Sequence, residues 1–370
     1  MIFLLGFLIS FGTGIAVGGF EIPPFNIIKD IYISFTINDD QFHKLDYSQF
    51  ETYDISSLIQ IDNKEILLEK RNELINYIWK QDLSRLDKLP NKIESNFIDN
   101  RFSDISNLEK IEKISIVMDY GINSNIYHFI PKESNNHLVI YHQGHDGDFA
   151  NGKNTIEFFL NNNYSVLAFS MPLLEPNNQP LIELSNFGPV KFTNHDYFKF
   201  LESEVFSPII FFVEPIIVSL NYIEKQYNYN LIHMVGISGG GWTTVLSSAL
   251  DTRISKSYPV AGSVPMYLRF NNVKNMGDYE QMIPEFYQIS GYLDLYVLGS
   301  IGENRKQLQI FNENDPCCFS GIGYKTYENI IKNKVNQFDS GEFDIILDTN
   351  NKKHSISKES LKKILDDMQS

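Results

Sequence analysis

The rhythm of apolar and polar positions changes near residue 110. Before it, the clearest period lies in KEILLEKRNELINYIWKQ, residues 64–81, where Leu67, Leu74, Ile75 and Ile78 recur near helical spacing. That spacing predicts an amphipathic helix. Beyond residue 110, short apolar runs alternate with helical stretches. KISIVMDY and SNIYHFI predict strands joined at Gly121-Ile122-Asn123, and HLVIYHQG predicts a buried strand. NTIEFFLNNN reads as a helix, YSVLAFS as a strand, PIIFFVEPIIVSLNYIEKQY as a long helix and LIHMVGIS as another buried strand. ISKSYPVAG, KQLQIFNEND and FDIILD continue the series. Uninterrupted apolar strands separated by helices predict an α/β fold whose central sheet is mostly parallel and flanked by helices. The chain then divides into an apolar segment at 1–20, a helical and irregular lead-in at 21–110, and an α/β domain at 111–370.

The first twenty residues, MIFLLGFLISFGTGIAVGGF, carry no charge. As a helix they would span roughly 30 Å, about the thickness of a bilayer core. The segment lacks the basic start of a secretory signal, although Ala16-Val17-Gly18 offers small residues for cleavage. The expectation is a single N-terminal membrane anchor, or a signal if cleaved, with the α/β domain outside the cytoplasm. The second long apolar run, at 208–227, is too short and is broken by Glu214 and Pro215, so it reads as a buried helix.

The formal net charge of −15 argues against nucleic acid as a partner, because the phosphate backbone demands positive charge. The only two cysteines, Cys317 and Cys318, are adjacent, which gives no disulfide framework.

Candidate chemistry centres on HMVGISGGGWTT. A buried strand runs into Gly236-Ile237-Ser238-Gly239-Gly240, and a helix follows. Strand, sharp turn and helix are the setting of the G-x-S-x-G nucleophile elbow, in which small residues let strand and helix approach closely while the serine occupies a strained position. A phosphate cradle is excluded, since no Lys-Ser or Lys-Thr follows the glycines. A nucleophilic serine needs a base and a group to orient that base. Asp315 stands just beyond the strand KQLQIFN, with Glu313 as fallback, and His354 lies in the polar loop after FDIILD. For the oxyanion, the backbone N–H of Gly239 and that of His145, in the turn YHQGHDGDF, are the candidate donors.

Together, the GISGG elbow, the His-Gln-Gly-His turn, Asp315 and His354 resemble the α/β-hydrolase superfamily. The likeness is nearest to its esterase, dienelactone hydrolase-like and prolyl-oligopeptidase-like branches, and it covers roughly residues 110–370. It implies Ser238 as nucleophile, His354 as base and Asp315 as orienting acid, acting on a small-molecule acyl ester, or a thioester or amide, through an acyl-enzyme. No metal or organic cofactor is required by that chemistry. Three alternatives share parts of the pattern: an inactive hydrolase-like binding protein, an acyltransferase, and a metal-dependent hydrolase. The last would use His142, His145, Asp146 and Asp148 of one turn, since histidines and carboxylates together bind divalent ions. The aromatic-rich segments 186–201 and 278–296 read first as core and second as the lining of an apolar pocket.

Overall fold

The computed structural model describes residue 50 and residues 52–270 and 275–370. The expected anchor at 1–20 lies outside them. Among the described residues, no helix is long and apolar enough to cross a membrane.

Among the described residues, eleven strands follow in chain order: β1 (Lys92–Glu94), β2 (Leu108–Val117), β3 (Asn123–Pro131), β4 (His137–His142), β5 (Ser165–Phe169), β6 (Leu181–Leu184), β7 (Gly188–Lys191), β8 (Leu231–Ile237), β9 (Ile254–Val260), β10 (Lys306–Asn312) and β11 (Glu342–Asp348). Nine form one sheet in the order β1-β2-β3-β5-β4-β8-β9-β10-β11, while β6 and β7 pair as a separate hairpin. From β5 to β11 every pairing is parallel. From β1 to β5 every pairing is antiparallel.

Burial follows the sequence rhythm. All of β5 is buried, and so is β8 beyond its first residue, as strands covered on both faces must be. On β2, by contrast, Ile114 and Ile116 are buried while Lys113 and Ser115 between them are partly exposed. A strand with one wet face gives that alternation.

The main helices are α1 (Lys64–Trp79), α2 (Lys153–Asn161), α3 (Ile210–Gln226), α4 (Gly239–Leu250), α5 (Met266–Arg269), α6 (Pro284–Ile289), α7 (Tyr292–Ser300), α8 (Glu328–Val335) and α9 (Lys358–Gln369). Every residue of α4 is buried. Trp242 on α4 meets Phe212 of α3 edge-on at 5.3 Å, and its indole N–H donates to Tyr287 Oη at 2.7 Å.

The lead-in is tied to the sheet's helical layer through Glu214, the residue that interrupts the apolar run of α3. Glu214 is buried and accepts hydrogen bonds from Arg85 at 2.7 and 3.0 Å and from the Trp79 indole at 3.3 Å. A buried carboxylate is tolerable only with such partners. The lead-in also supplies β1 and the start of β2 to the sheet.

Parallel strands end together. His142 pairs in register with Gly236, Ile237 with Val260, and Asn312 with Asp348. One edge of the sheet therefore carries the ends of β4, β8, β9, β10 and β11, where open α/β sheets hold their ligands. Two long excursions leave this edge. Residues 170–209 run from β5 to α3 and include the hairpin, and residues 261–305 run from β9 to β10 and include α5, α6 and α7.

Candidate active site

Ser238 joins β8 to α4 with φ 57° and ψ −124°, a conformation that side chains rarely adopt. Its neighbours explain how the turn is possible. A methyl group on Gly236 would fall 2.1 Å from the carbonyl oxygen of Gly240, and one on Gly240 would fall 2.1 Å from that of His142. Only glycine fits at either position. The third glycine has its own reason: a methyl on Gly241 would sit 2.8 Å from Cα of Gly262, where α4 crosses the end of β9. The Ser238 N–H donates to Val260 at 3.0 Å, and the side chain remains partly exposed. The stretch is a tight, fully determined turn.

Asp315 and His354 come together from two further strand ends. Asp315 is buried just after β10, and its Oδ2 accepts from Nδ1 of His354 at 2.8 Å. The same carboxylate accepts from Asn312 Nδ2 at 3.1 Å and from the Cys317 N–H at 2.9 Å. Glu313 is partly exposed instead, and its N–H donates to Asp348 across to β11.

The loop carrying His354 is pinned by asparagines. Asn312 Nδ2 donates to the carbonyls of Lys353 and Ser355 at 3.4 and 3.2 Å, and Asn351 Nδ2 to that of Ser355 at 2.8 Å. Burial works against a charged His354 ring, but the Asp315 carboxylate outweighs it and holds the pKa above the ordinary histidine value. Nε2 of His354 has Sγ of Cys318 at 3.9 Å, and the Ser238 hydroxyl lies within reach of the same thiol. Among the described residues no hydrogen bond joins Ser238 to His354 directly. The neighbouring Cys317, together with burial, pushes the Cys318 thiol far above its usual range.

The turn after β4 closes over the elbow. A methyl on Gly144 would lie 2.7 Å from Cβ of Ser238, and one on Gly239 would lie 2.3 Å from Cε1 of His145. The Gln143 N–H is committed to Phe169 at 2.9 Å, which leaves Gly144 and His145 as the residues of the turn nearest the serine.

The four residues of the turn do not gather around a common point. His142 is buried, stacks on Phe169 and has Nδ1 2.9 Å from the Gln143 carbonyl oxygen; burial drops its pKa to about 4. Asp146 is exposed and accepts from Gln143 Nε2 at 2.6 Å. Asp148 accepts from the Ala150 N–H at 3.1 Å and pairs with Arg101.

His145 alone turns elsewhere, toward the two excursions. Its Nε2 lies 3.0 Å from Nδ1 of His195, 2.8 Å from Oδ2 of Asp278 and 3.5 Å from Oε1 of Glu280. Burial opposes charge on His145, yet the two carboxylates outweigh it and hold its pKa up at about 10. For Glu280, which is wholly buried, desolvation favours the neutral acid, but the two imidazoles hold its pKa well below the usual range. Sequence reasoning missed His195, Asp278 and Glu280 as a cluster. It also missed Asn312, whose one available signal was a polar residue closing an apolar strand.

No family model matches the chain, and no curated protein is similar enough in sequence to be counted a relative. Solved structures do match. Acetyl xylan esterase 1 from Thermoanaerobacterium sp. superposes with a TM-score of 0.55 at 12% identity, covering 85% of this chain and 97% of that one. The fold is that of the α/β hydrolases. Methylesterase BT1017 matches with a TM-score of 0.53 at 14% identity over 84% of this chain and 64% of its own. An esterase from Pyrococcus furiosus matches at 0.50 and 12% identity, over 76% and 97%. At such identities the likeness carries the α/β-hydrolase architecture and no residue assignment. The part of the fold expectation that concerned the sheet and its flanking helices therefore holds.

Proposed function

We propose that the protein is a serine hydrolase that cleaves an ester bond of a small molecule through an acyl-enzyme, with Ser238 as nucleophile. The reading is carried by one observation: Ser238 occupies a strained strand-to-helix turn at the sheet edge that also bears the Asp315–His354 pair. His354 takes the Ser238 proton as the oxygen attacks the carbonyl carbon. Asp315 accepts from Nδ1–H and so leaves Nε2 as the basic nitrogen. For that transfer His354 must close on Ser238; such contacts are often long in unliganded enzymes and tighten with substrate. The N–H groups of Gly239 and His145 hold the oxyanion, the ester alcohol leaves with the proton from His354, and water activated by the same imidazole releases the acid. The first substrates to try are small acetyl and methyl esters, because similar folds include enzymes named for acetyl xylan and for methyl esters.

Initial rates on p-nitrophenyl acetate test the reading. The whole chain is expected to turn it over and Ser238→Ala to fall to the background rate; equal rates would end the assignment. Adding small alcohols separates hydrolysis from acyl transfer, since a transferase would divert product to the new ester. An anchor at residues 1–20 is a separate proposal, supported by twenty uncharged residues. Release of the full chain from membranes by an alkaline carbonate wash would count against it.

A further inference from the structure

His145, His195, Asp278 and Glu280 each turn one ligand atom toward the others, all within 4.8 Å. Besides the three distances from His145 Nε2 already given, Nδ1 of His195 lies 3.7 Å from Oδ2 of Asp278 and 3.4 Å from Oε1 of Glu280. A tetrahedral ion with bonds of about 2.0–2.1 Å has ligands about 3.3–3.4 Å apart. The separations scatter around that edge length.

Proton counting shows that protein hydrogen bonds alone leave the cluster incomplete. Nε2 of His195 lies 2.8 Å from the Pro172 carbonyl oxygen, a group that only accepts, so the ring proton sits there and Nδ1 presents a lone pair. Both carboxylates also present lone pairs. One N–H, on Nε2 of His145, is left to face three acceptors. Glu280 lies wholly inside the protein, and its second oxygen, Oε2, has no hydrogen-bond partner. Buried polar atoms are almost always paired. Once a cation displaces the proton on Nε2 of His145, two imidazoles and two carboxylates offer it the donor set that a divalent cation takes up, and two negative charges match its charge. A backbone acceptor on the far nitrogen of a ligating histidine is the usual support for such a ligand.

We propose that these four side chains form a divalent-cation site, fitted best to Zn²⁺, that pins both excursions to the turn beside Ser238. The ligands come from the turn after β4, the loop between β7 and α3, and the loop between β9 and β10, separated by up to 135 residues from His145 to Glu280. With Nε2 on the metal, His145 keeps its proton on Nδ1 and its ring stays packed on Gly239. The site contains none of Ser238, Asp315 or His354; it shares with the hydrolase reading only His145, which serves the oxyanion through its backbone N–H and the cation through its ring. It also differs from the His142–Asp148 arrangement expected from sequence, of which it uses His145 alone.

Elemental analysis of the full chain, purified without chelators, tests it. About one zinc per chain is expected after desalting. Stripping with a chelator should lower the Tm, and re-adding Zn²⁺ alone should restore it. Glu280→Gln and His195→Ala should hold less than a tenth of the wild-type zinc. Should either fail to fold, Asp278→Asn replaces a half-exposed ligand and should weaken zinc affinity by about tenfold or more while the fold persists. A folded wild-type chain that neither carries zinc nor gains in Tm when Zn²⁺ is added would overturn the proposal, as would undiminished affinity in Asp278→Asn.

Discussion

Two groups of polar residues lie next to each other at the same sheet edge, and they are built in opposite ways. Ser238 follows β8 directly, while Asp315 and His354 lie in the loops just beyond the ends of β10 and β11, so the strand ends set where the three meet. His145, His195, Asp278 and Glu280 are held by loops, and three of the four belong to excursions that leave the sheet and return. The first group is positioned by backbone geometry that tolerates no substitution: glycines at 236 and 240 are dictated by contacts of 2.1 Å. The second is positioned by its own mutual attraction. A strand-end site is therefore expected to survive loss of any one side chain in shape while losing its chemistry. A loop-held cluster is expected to lose shape first.

The largest effect that would break this contrast is at the acid. Asp315→Asn should leave the Tm nearly unchanged and reduce kcat by about 10⁴-fold, because the wrong histidine tautomer is then favoured. Circular dichroism and steady-state kinetics on one preparation check both halves, and a large loss of Tm with modest loss of kcat would reverse the comparison. Next comes the elbow. Gly240→Ala drives a methyl group into the His142 carbonyl and should destabilise by at least about 3 kcal/mol, read by denaturant titration; a neutral result would mean the turn is soft.

Smaller is the pH profile. His354 must be neutral to act, and Asp315 raises its pKa, so the acid limb of kcat/KM should lie above about pH 6.5, the ordinary histidine value. Activity is then lost as pH falls through that raised pKa. A limb well below 6.5 would show that the pair does not govern the rate. Asn312→Ala, which frees the His354 loop, should lower kcat about tenfold with KM little changed and leave the position of the acid limb intact. The smallest effect is expected at Cys318. Removing the thiol that neighbours both Ser238 and His354, by Cys318→Ala, should leave kcat unchanged or somewhat raised; a collapse of activity would give the thiol a role of its own.

The same contrast explains what could be read in the sequence. Strand-end residues are legible because apolar runs mark the strands and turn residues mark their ends. β4, β5, β8, β9, β10 and β11 were all anticipated, and with them the sheet edge. Gly236, Gly240 and the serine between them carry a local steric signature. Nothing local marks His195 or Glu280, which meet only because two excursions fold back over one edge.

The His142–Asp148 turn misleads for a related reason. Its histidines and carboxylates are close in sequence, but β4 sends His142 into the core and Asp148 starts the next helical turn, so proximity along the chain does not become convergence. Glu214 is a further case. It reads as a break in an apolar helix, whereas its meaning, a buried acceptor for Arg85 and Trp79, depends on a segment some 130 residues away.

The central claim is that Ser238 is an activated nucleophile. Incubating the folded chain with a fluorophosphonate probe and mapping the labelled peptide tests it most directly. A single covalent adduct on Ser238, absent in Ser238→Ala and formed far more slowly in His354→Ala, is the predicted result. A folded chain that takes up no probe, or that takes it up on another residue, would contradict it.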